Sequence, residues 1–299
     1  MPFYSNNPNE WEHLHKNEPI NPLPHDLFPI VKKCLEKTPD QRYENFDELK
    51  DSLIEQYQKI TKKSVPSPPM EGELEIWELN NKGISLFRLG LNEEAKLVLK
   101  DSIKKSSNNP VAYNNLGLIY ESREELDKAK IGYVESLRFA PDYPHANNNL
   151  GNILLNEGNC DDAIKHFKKA IRSDNSYYTA YFNLANTYYR CGKPLIFAIK
   201  KYFDALNINP NYAEAYGNLG VVAFDLKWFG CSEKAYNNAI KIKPDYEECY
   251  YNLGNLYRKN NQRTLAIEAY RKFIHYAGPN LAKEVENAKT IISKLSNPI

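Results

Sequence analysis

One small residue recurs along this chain with almost no slippage. Gly83, Gly117, Gly151, Ala185, Gly220 and Gly254 follow one another at spacings of 34, 34, 34, 35 and 34. Twelve or thirteen positions after each stands a second small residue, at Ala95, Ala129, Ala163, Ala198, Ser232 and Ala266. A bulky residue comes four later, at Leu99, Tyr133, Phe167, Tyr202, Tyr236 and Tyr270. A fixed period of this length describes a stack of like units, each too small to bury its own apolar face, so that neighbours complete the core. Within a unit the period fits two helices. Small residues where they cross allow close approach, and the bulky residue one turn on fills the adjacent space. Pro141, Pro210 and Pro244 end the second helix, since proline lacks the amide hydrogen and biases the residue before it away from helix.

This pattern resembles the tetratricopeptide repeat, a 34-residue helix-turn-helix unit. The resemblance covers residues 76–280 in six copies, at about 76–109, 110–143, 144–177, 178–212, 213–246 and 247–280. It implies an all-α fold, a right-handed α-solenoid. The outer copies degrade as capping units do: the first has Lys82 where the others have leucine, and the last ends in Gly278-Pro279. In residues 281–299, Leu281, Val285, Ala288, Ile292 and Leu295 share one side of a helix and predict a C-terminal cap. Copy four carries one extra residue and Pro194, which is expected just inside its second helix, where proline is tolerated.

The most repeated polar residue has a fixed phase. With the small residue as zero and 100° per residue, offsets −4, −1, 0 and +3 form the buried stripe and offset −2 lies nearly opposite. Offset −2 is asparagine in every copy: Asn81, Asn115, Asn149, Asn183, Asn218 and Asn252. Offset +1 shares that side and is asparagine again at Asn152, Asn186 and Asn255. A carboxamide carries two donors and an acceptor, so it can pair with a peptide N–H and C=O whatever the peptide's side chains. Each pair contributes about 0.5–1.5 kcal/mol net, so useful affinity needs several in a row.

By the family resemblance, this phase lines the concave groove of the superhelix. The arrangement is similar to the asparagine ladder in the repeat region of O-linked N-acetylglucosamine transferase, which holds the backbone of bound polypeptide. The plainer alternative is that Asn before Leu-Gly belongs to the repeat consensus itself. On the same reading Phe182, Tyr189 and Tyr251, with Phe87 and Phe224, supply apolar pockets, and Arg190 and Arg258, with Arg88 and Lys259, supply positive charge. The two-carboxylate clamp of chaperone-binding repeats needs lysine at offset −3. Here that offset holds Asn80, Asn114, Asn148, Phe182, Gly217 and Tyr251.

Charge and composition narrow the partner. Lys plus Arg number 39 against 38 Asp plus Glu, so no global field draws the chain to nucleic acid or an anionic membrane. The longest apolar run, around Leu219 to Leu226, falls far short of the roughly 18 residues a spanning helix needs, and no signal pattern opens the chain, which predicts a cytoplasmic protein. Five cysteines, an odd number without a C-x-x-C pair, predict reduced thiols and no zinc site. His13, His15 and His25 have no acid or cysteine to complete a metal site, and no cofactor is expected.

The first sixty residues differ in kind. Leu27, Ile30, Val31, Cys34 and Leu35 make one helical stripe, and Asn45 with Glu48 makes a reciprocal cap for a second helix. Cys34-Leu35, Pro39, Arg42, Phe46 and Leu49 resemble the end of a serine/threonine protein kinase C-lobe. In that family the arginine matching Arg42 pairs with the glutamate of an A-P-E motif. The chain has no A-P-E, H-R-D, D-F-G or glycine-rich loop, so it is not expected to transfer phosphate. Residues 61–75, with Pro66, Pro68 and Pro69, read as a linker. The leading reading is a non-catalytic scaffold holding a polypeptide in its groove. The alternatives are the C-terminal portion of a repeat-bearing kinase, and a scaffold that self-associates through its end repeats.

Overall fold

The computed structural model describes residue 33, residues 46–61 and residues 75–296. The chain divides into two compact units, Met1–Leu74 and Glu75–Ile299. In the first, α1 (Phe46–Thr61) is the described helix, and Lys33 pairs with Glu48 on it. Cys34, Leu35, Pro39 and Arg42, which carry most of the kinase resemblance, and the cap residue Asn45 lie outside the described residues, as do the linker prolines.

The second unit is a succession of helix pairs: α2 (Ile76–Arg88) with α3 (Asn92–Lys105), α4 (Pro110–Glu121) with α5 (Leu126–Phe139), α6 (Pro144–Asn156) with α7 (Cys160–Ser173), α8 (Tyr178–Arg190) with α9 (Leu195–Ile208), α10 (Ala213–Asp225) with α11 (Phe229–Ile242), and α12 (Glu247–Lys259) with α13 (Arg263–Tyr276). A 3₁₀ turn, Pro279–Leu281, leads into α14 (Ala282–Ser296). The described residues contain no strand. Helices of 12 to 14 residues are marginal alone in water, so packing holds them.

Each hairpin turns through one left-handed residue: Gly90, Glu124, Gly158, Gly192, Lys227 or Asn261. The next amide bonds back to the carbonyl five residues earlier, as in Asn159 N to Leu154 O at 2.8 Å and Trp228 N to Ala223 O at 2.8 Å. That closes the first helix of each pair with a Schellman cap. Three of these six residues are not glycine, so the turn survives without its favoured residue. In copy four, Lys193 and Pro194 both stand between Gly192 and α9, and Pro194 is the residue before the helix rather than its first. The turn takes up the inserted residue and leaves the pair intact.

The bulky residue of the second helix lies directly on the small residue of the first, not merely beside it. A Cβ built on Gly117 would come within 2.5 Å of the Tyr133 ring, and one on Gly254 within 2.7 Å of Tyr270. Both rings are fully buried. Second helices then pack on the first helix of the following copy, so the core runs on through the stack. At the end, Leu281, Val285, Ala288, Ile292 and Leu295 of the cap all join the last apolar cluster, with Ile291.

Near the beginning, three polar side chains that the period did not mark are sealed together. Asn109 Nδ2 donates to Asn80 Oδ1 at 3.2 Å and to Ser102 Oγ at 2.9 Å, while Ser102 Oγ donates to Asn80 Oδ1 at 3.0 Å. Asn109 Oδ1 also accepts from Ala112 N at 3.3 Å, capping α4. Asn109→Ala removes the cap and strands two buried partners, so it should cost about 2–3 kcal/mol in urea unfolding. A loss below about 0.5 kcal/mol would show the network to be dispensable.

Candidate functional site

The asparagines at offset −2 are not an open column of free amides. Asn81 is exposed, Asn115 is buried, and Asn149, Asn183, Asn218 and Asn252 are half-buried. Asn149 Nδ2 donates to Asn114 Oδ1 at 3.1 Å, and Asn183 Nδ2 to Asn148 Oδ1 at 2.9 Å. Each bond joins one copy to the offset −3 amide of the copy before. Copy four has Phe182 at offset −3, and Asn218 Nδ2 bonds instead to Asn186 Oδ1, offset +1 of that copy, at 2.9 Å. Before Asn252 the corresponding places hold Gly217 and Val221, and neither side chain can accept. The amides therefore brace one another from copy to copy.

The run Asn147-Asn148-Asn149 separates the roles. Asn147 is fully buried and ties the preceding loop, donating to Pro141 O at 2.9 Å and Tyr143 O at 3.1 Å, with His166 Nδ1 2.9 Å from its Oδ1. Burial lowers the pKa of that imidazole. Asn148 and Asn149 belong to the bracing track. The sequence marked only Asn149.

A cavity of about 450 Å³ opens where copies three to five meet, lined among others by Asn152, Asn183, Asn186, Asn218, Tyr189 and Arg190, and by Glu121 of copy two. Six sequence candidates thus share one wall. Their bonds fix what they can offer. Asn186 Oδ1 accepts from Tyr202 Oη at 2.6 Å and from Asn218 Nδ2 at 2.9 Å, which uses both lone pairs and leaves its Nδ2 as donor. Asn183 and Asn218 each spend one N–H on a neighbour and retain Oδ1 as acceptor. The cavity presents donor and acceptor groups together. Burial, then the Asp225 carboxylate 2.7 Å away, pushes the Tyr189 hydroxyl up to about 12, so it stays a donor. Arg190 is exposed, with Nη1 3.5 Å from Asn156 Oδ1.

A second cavity, of about 490 Å³, is lined by Phe224, Asn255, Arg258, Lys259 and Asn261. Asn255 Oδ1 accepts from Tyr270 Oη at 2.7 Å.

Two candidates do other work. Phe182 was expected to line a groove pocket, but its ring packs within 4.9 Å of the Tyr212 ring and 6.0 Å of Tyr202, inside the junction of copies four and five. Tyr251 packs on Tyr270 and Phe273, and its hydroxyl accepts from Asn287 Nδ2 of the capping helix at 2.9 Å. Both lie at offset −3, a phase that faces the next copy. The reduced-thiol expectation also fails for one pair. Cys160 and Cys191 form a disulfide with Cα atoms 6.1 Å apart, within bonding geometry. The stack brings the start of α7 beside the end of α8, a contact that sequence spacing does not advertise. Cys231 and Cys249 are free.

Among the described residues no His, Cys, Asp and Glu cluster could hold a metal ion, and no helix is long and apolar enough to cross a membrane. Family models for the tetratricopeptide repeat match residues 110–143 and 213–246, residues 151–192 and 234–261, and residues 248–277. All matched residues lie beyond the kinase-like segment. No curated protein matches the chain. Among solved structures, the chain is similar to pilF of Pseudomonas aeruginosa, at 15% identity over 72% of this chain and 96% of that one, with a TM-score of 0.64. It is similar to PilW, described as a widely conserved type IV pilus biogenesis factor, at 18% identity over 71% and 96%, with a TM-score of 0.63. YrrB, described as a repeat protein with an unusual peptide-binding site, gives 20% identity over 64% and 97%, with a TM-score of 0.52. Identities this low show a shared fold and no more. Helix pairs of constant length, ring-on-glycine packing at a constant phase, and these matches together show that the matched segments are tetratricopeptide repeats and that the fold is a tetratricopeptide-repeat solenoid.

Proposed function

We propose that the chain is a non-catalytic interaction module that binds an extended polypeptide along the asparagine-bearing face of its first helices. The observation that carries this reading is the cavity of copies three to five, where Asn186 offers a donor and Asn183 and Asn218 offer acceptors from side chains fixed by their own bonds. A peptide backbone shows the same alternation at every residue, and amides already held in place lose little freedom on binding it. The peptide-binding site named for YrrB supports the reading for a related fold.

The site residues proposed are Asn81, Asn115, Asn149, Asn183, Asn218 and Asn252 with Asn152, Asn186, Asn255, Tyr189, Arg190 and Arg258, the cavity members contributing most. Asn115, being buried, contributes through the brace. Capture of partners by the immobilised full chain, compared with Asn183→Ala/Asn218→Ala, tests this. Losing two amide pairs should weaken capture about tenfold or more. Equal capture, with an unchanged circular dichroism melt, would remove the amides from the binding site. A concentration-dependent mass in light scattering, insensitive to these substitutions, would instead favour self-association.

A further inference from the structure

We infer that the cavity between copies five and six is a subsite for an acidic side chain of the bound polypeptide. This rests on the groove reading above. The cavity wall is unlike that of the first cavity, because its polar side chains lean to one sign. Asn255 has one lone pair of its carbonyl taken by Tyr270 Oη at 2.7 Å, while both N–H groups of its amide remain for a ligand. Arg258 and Lys259, in the last turn of α12, are exposed and hold no ion pair among the described residues.

The nearest acid in sequence to the cavity's Phe224 is Asp225, and its carboxylate accepts from Tyr189 in the direction of the first cavity. Glu233 is likewise engaged, by Tyr257 Oη at 2.8 Å. Two unpaired cations and the amides of Asn255 and Asn261 therefore line about 490 Å³ of space, with one half-buried aromatic wall at Phe224. Carboxylate oxygens match that set, since a charge-assisted bond from guanidinium or ammonium is roughly twice as strong as a neutral one. Phe224 receives the methylene stem of a glutamate better than the bare head of a shorter acid. The chain's near-zero net charge makes this preference local.

Fluorescence anisotropy with two labelled probes tests the assignment: a Gly-Ser-Glu repeat peptide and its Gly-Ser-Gln isostere. The full chain should bind the Glu peptide about five- to tenfold more tightly than the Gln peptide at low salt. Arg258→Gln/Lys259→Gln should abolish that ratio, lowering affinity for the Glu peptide far more than for the Gln peptide. Lys168→Gln/Lys169→Gln, on α7, controls for bulk charge and should retain the ratio. Asn183→Ala/Asn218→Ala should weaken both probes equally. Equal binding of the two peptides by the wild type, or a ratio that survives Arg258→Gln/Lys259→Gln, overturns the acidic subsite while leaving the groove standing. Failure of either peptide to bind, or binding indifferent to the asparagine substitutions, overturns the groove reading and this inference with it.

Discussion

Phe167→Ala should cost about 3–5 kcal/mol of stability, the range for deleting a fully buried aromatic side chain. Phe167 has no exposed surface, and it rests on Gly151 so closely that a Cβ there would sit 2.8 Å from the ring. The same cluster reaches back to Ala129 and Tyr133 in copy two and forward to Leu184 in copy four. Deleting the ring therefore opens a cavity at a hairpin and weakens two inter-copy junctions. In a stack whose units touch only their neighbours, damage in the middle divides the array, whereas the same damage at an end frays it. Calorimetry should show a melting point lower by roughly 2–4 °C per kcal/mol, with a broadened or split transition. Tyr270→Ala, in the last copy, should shift the melt with less splitting. A loss below about 1 kcal/mol at Phe167 would contradict ring-on-glycine packing as the unit's main internal contact.

Much of this architecture could be read from residues alone, for a specific reason. The contact between Gly151 and Phe167 is internal to one period, so its spacing of sixteen recurs in the sequence, as do Gly117 with Tyr133 and Gly254 with Tyr270. Contacts between periods leave a fainter trace. Asn149 and Asn183 were visible as a phase, but their hydrogen-bond partners Asn114 and Asn148 sit 35 residues back at another phase, and Asn218 finds its partner 32 back. The helical wheel placed offset −2 opposite the buried stripe, yet Asn115 is buried and bonded by Asn114 Nδ2 at 3.3 Å. Phe182 and Tyr251 are half-buried, the first against Tyr212 and the second against Phe273 and the capping helix. A wheel describes one helix; this site is made where helices of successive copies meet.

Reduction of the Cys160–Cys191 bond should lower stability by about 3–4 kcal/mol, the chain-entropy cost of freeing a loop with a sequence separation of 31. The bond spans a junction that other side chains also clasp. Lys193 Nζ reaches Asp161 at 3.0 Å between the same two turns, and Arg190 approaches Asn156 at 3.5 Å. Asp161 is 80% exposed, so that ion pair alone holds little, and the covalent link should dominate. Alkylation without reductant should leave Cys160 and Cys191 joined in a peptide map. Cys231, being exposed, should take label in the folded chain. Cys249 should label only after unfolding, since burial pushes its thiol up to about 12 and little thiolate forms at neutral pH. Cys160→Ser/Cys191→Ser should melt like the reduced wild type and ignore further reductant. Because Tyr189 and Arg190, at the end of α8, line the cavity of copies three to five, loosening this junction should also raise amide hydrogen exchange in residues 183–190. Labelling of Cys160 and Cys191 in the unreduced chain, or a melt indifferent to reductant, would show that the two sulfurs are unbonded and that packing alone closes the junction.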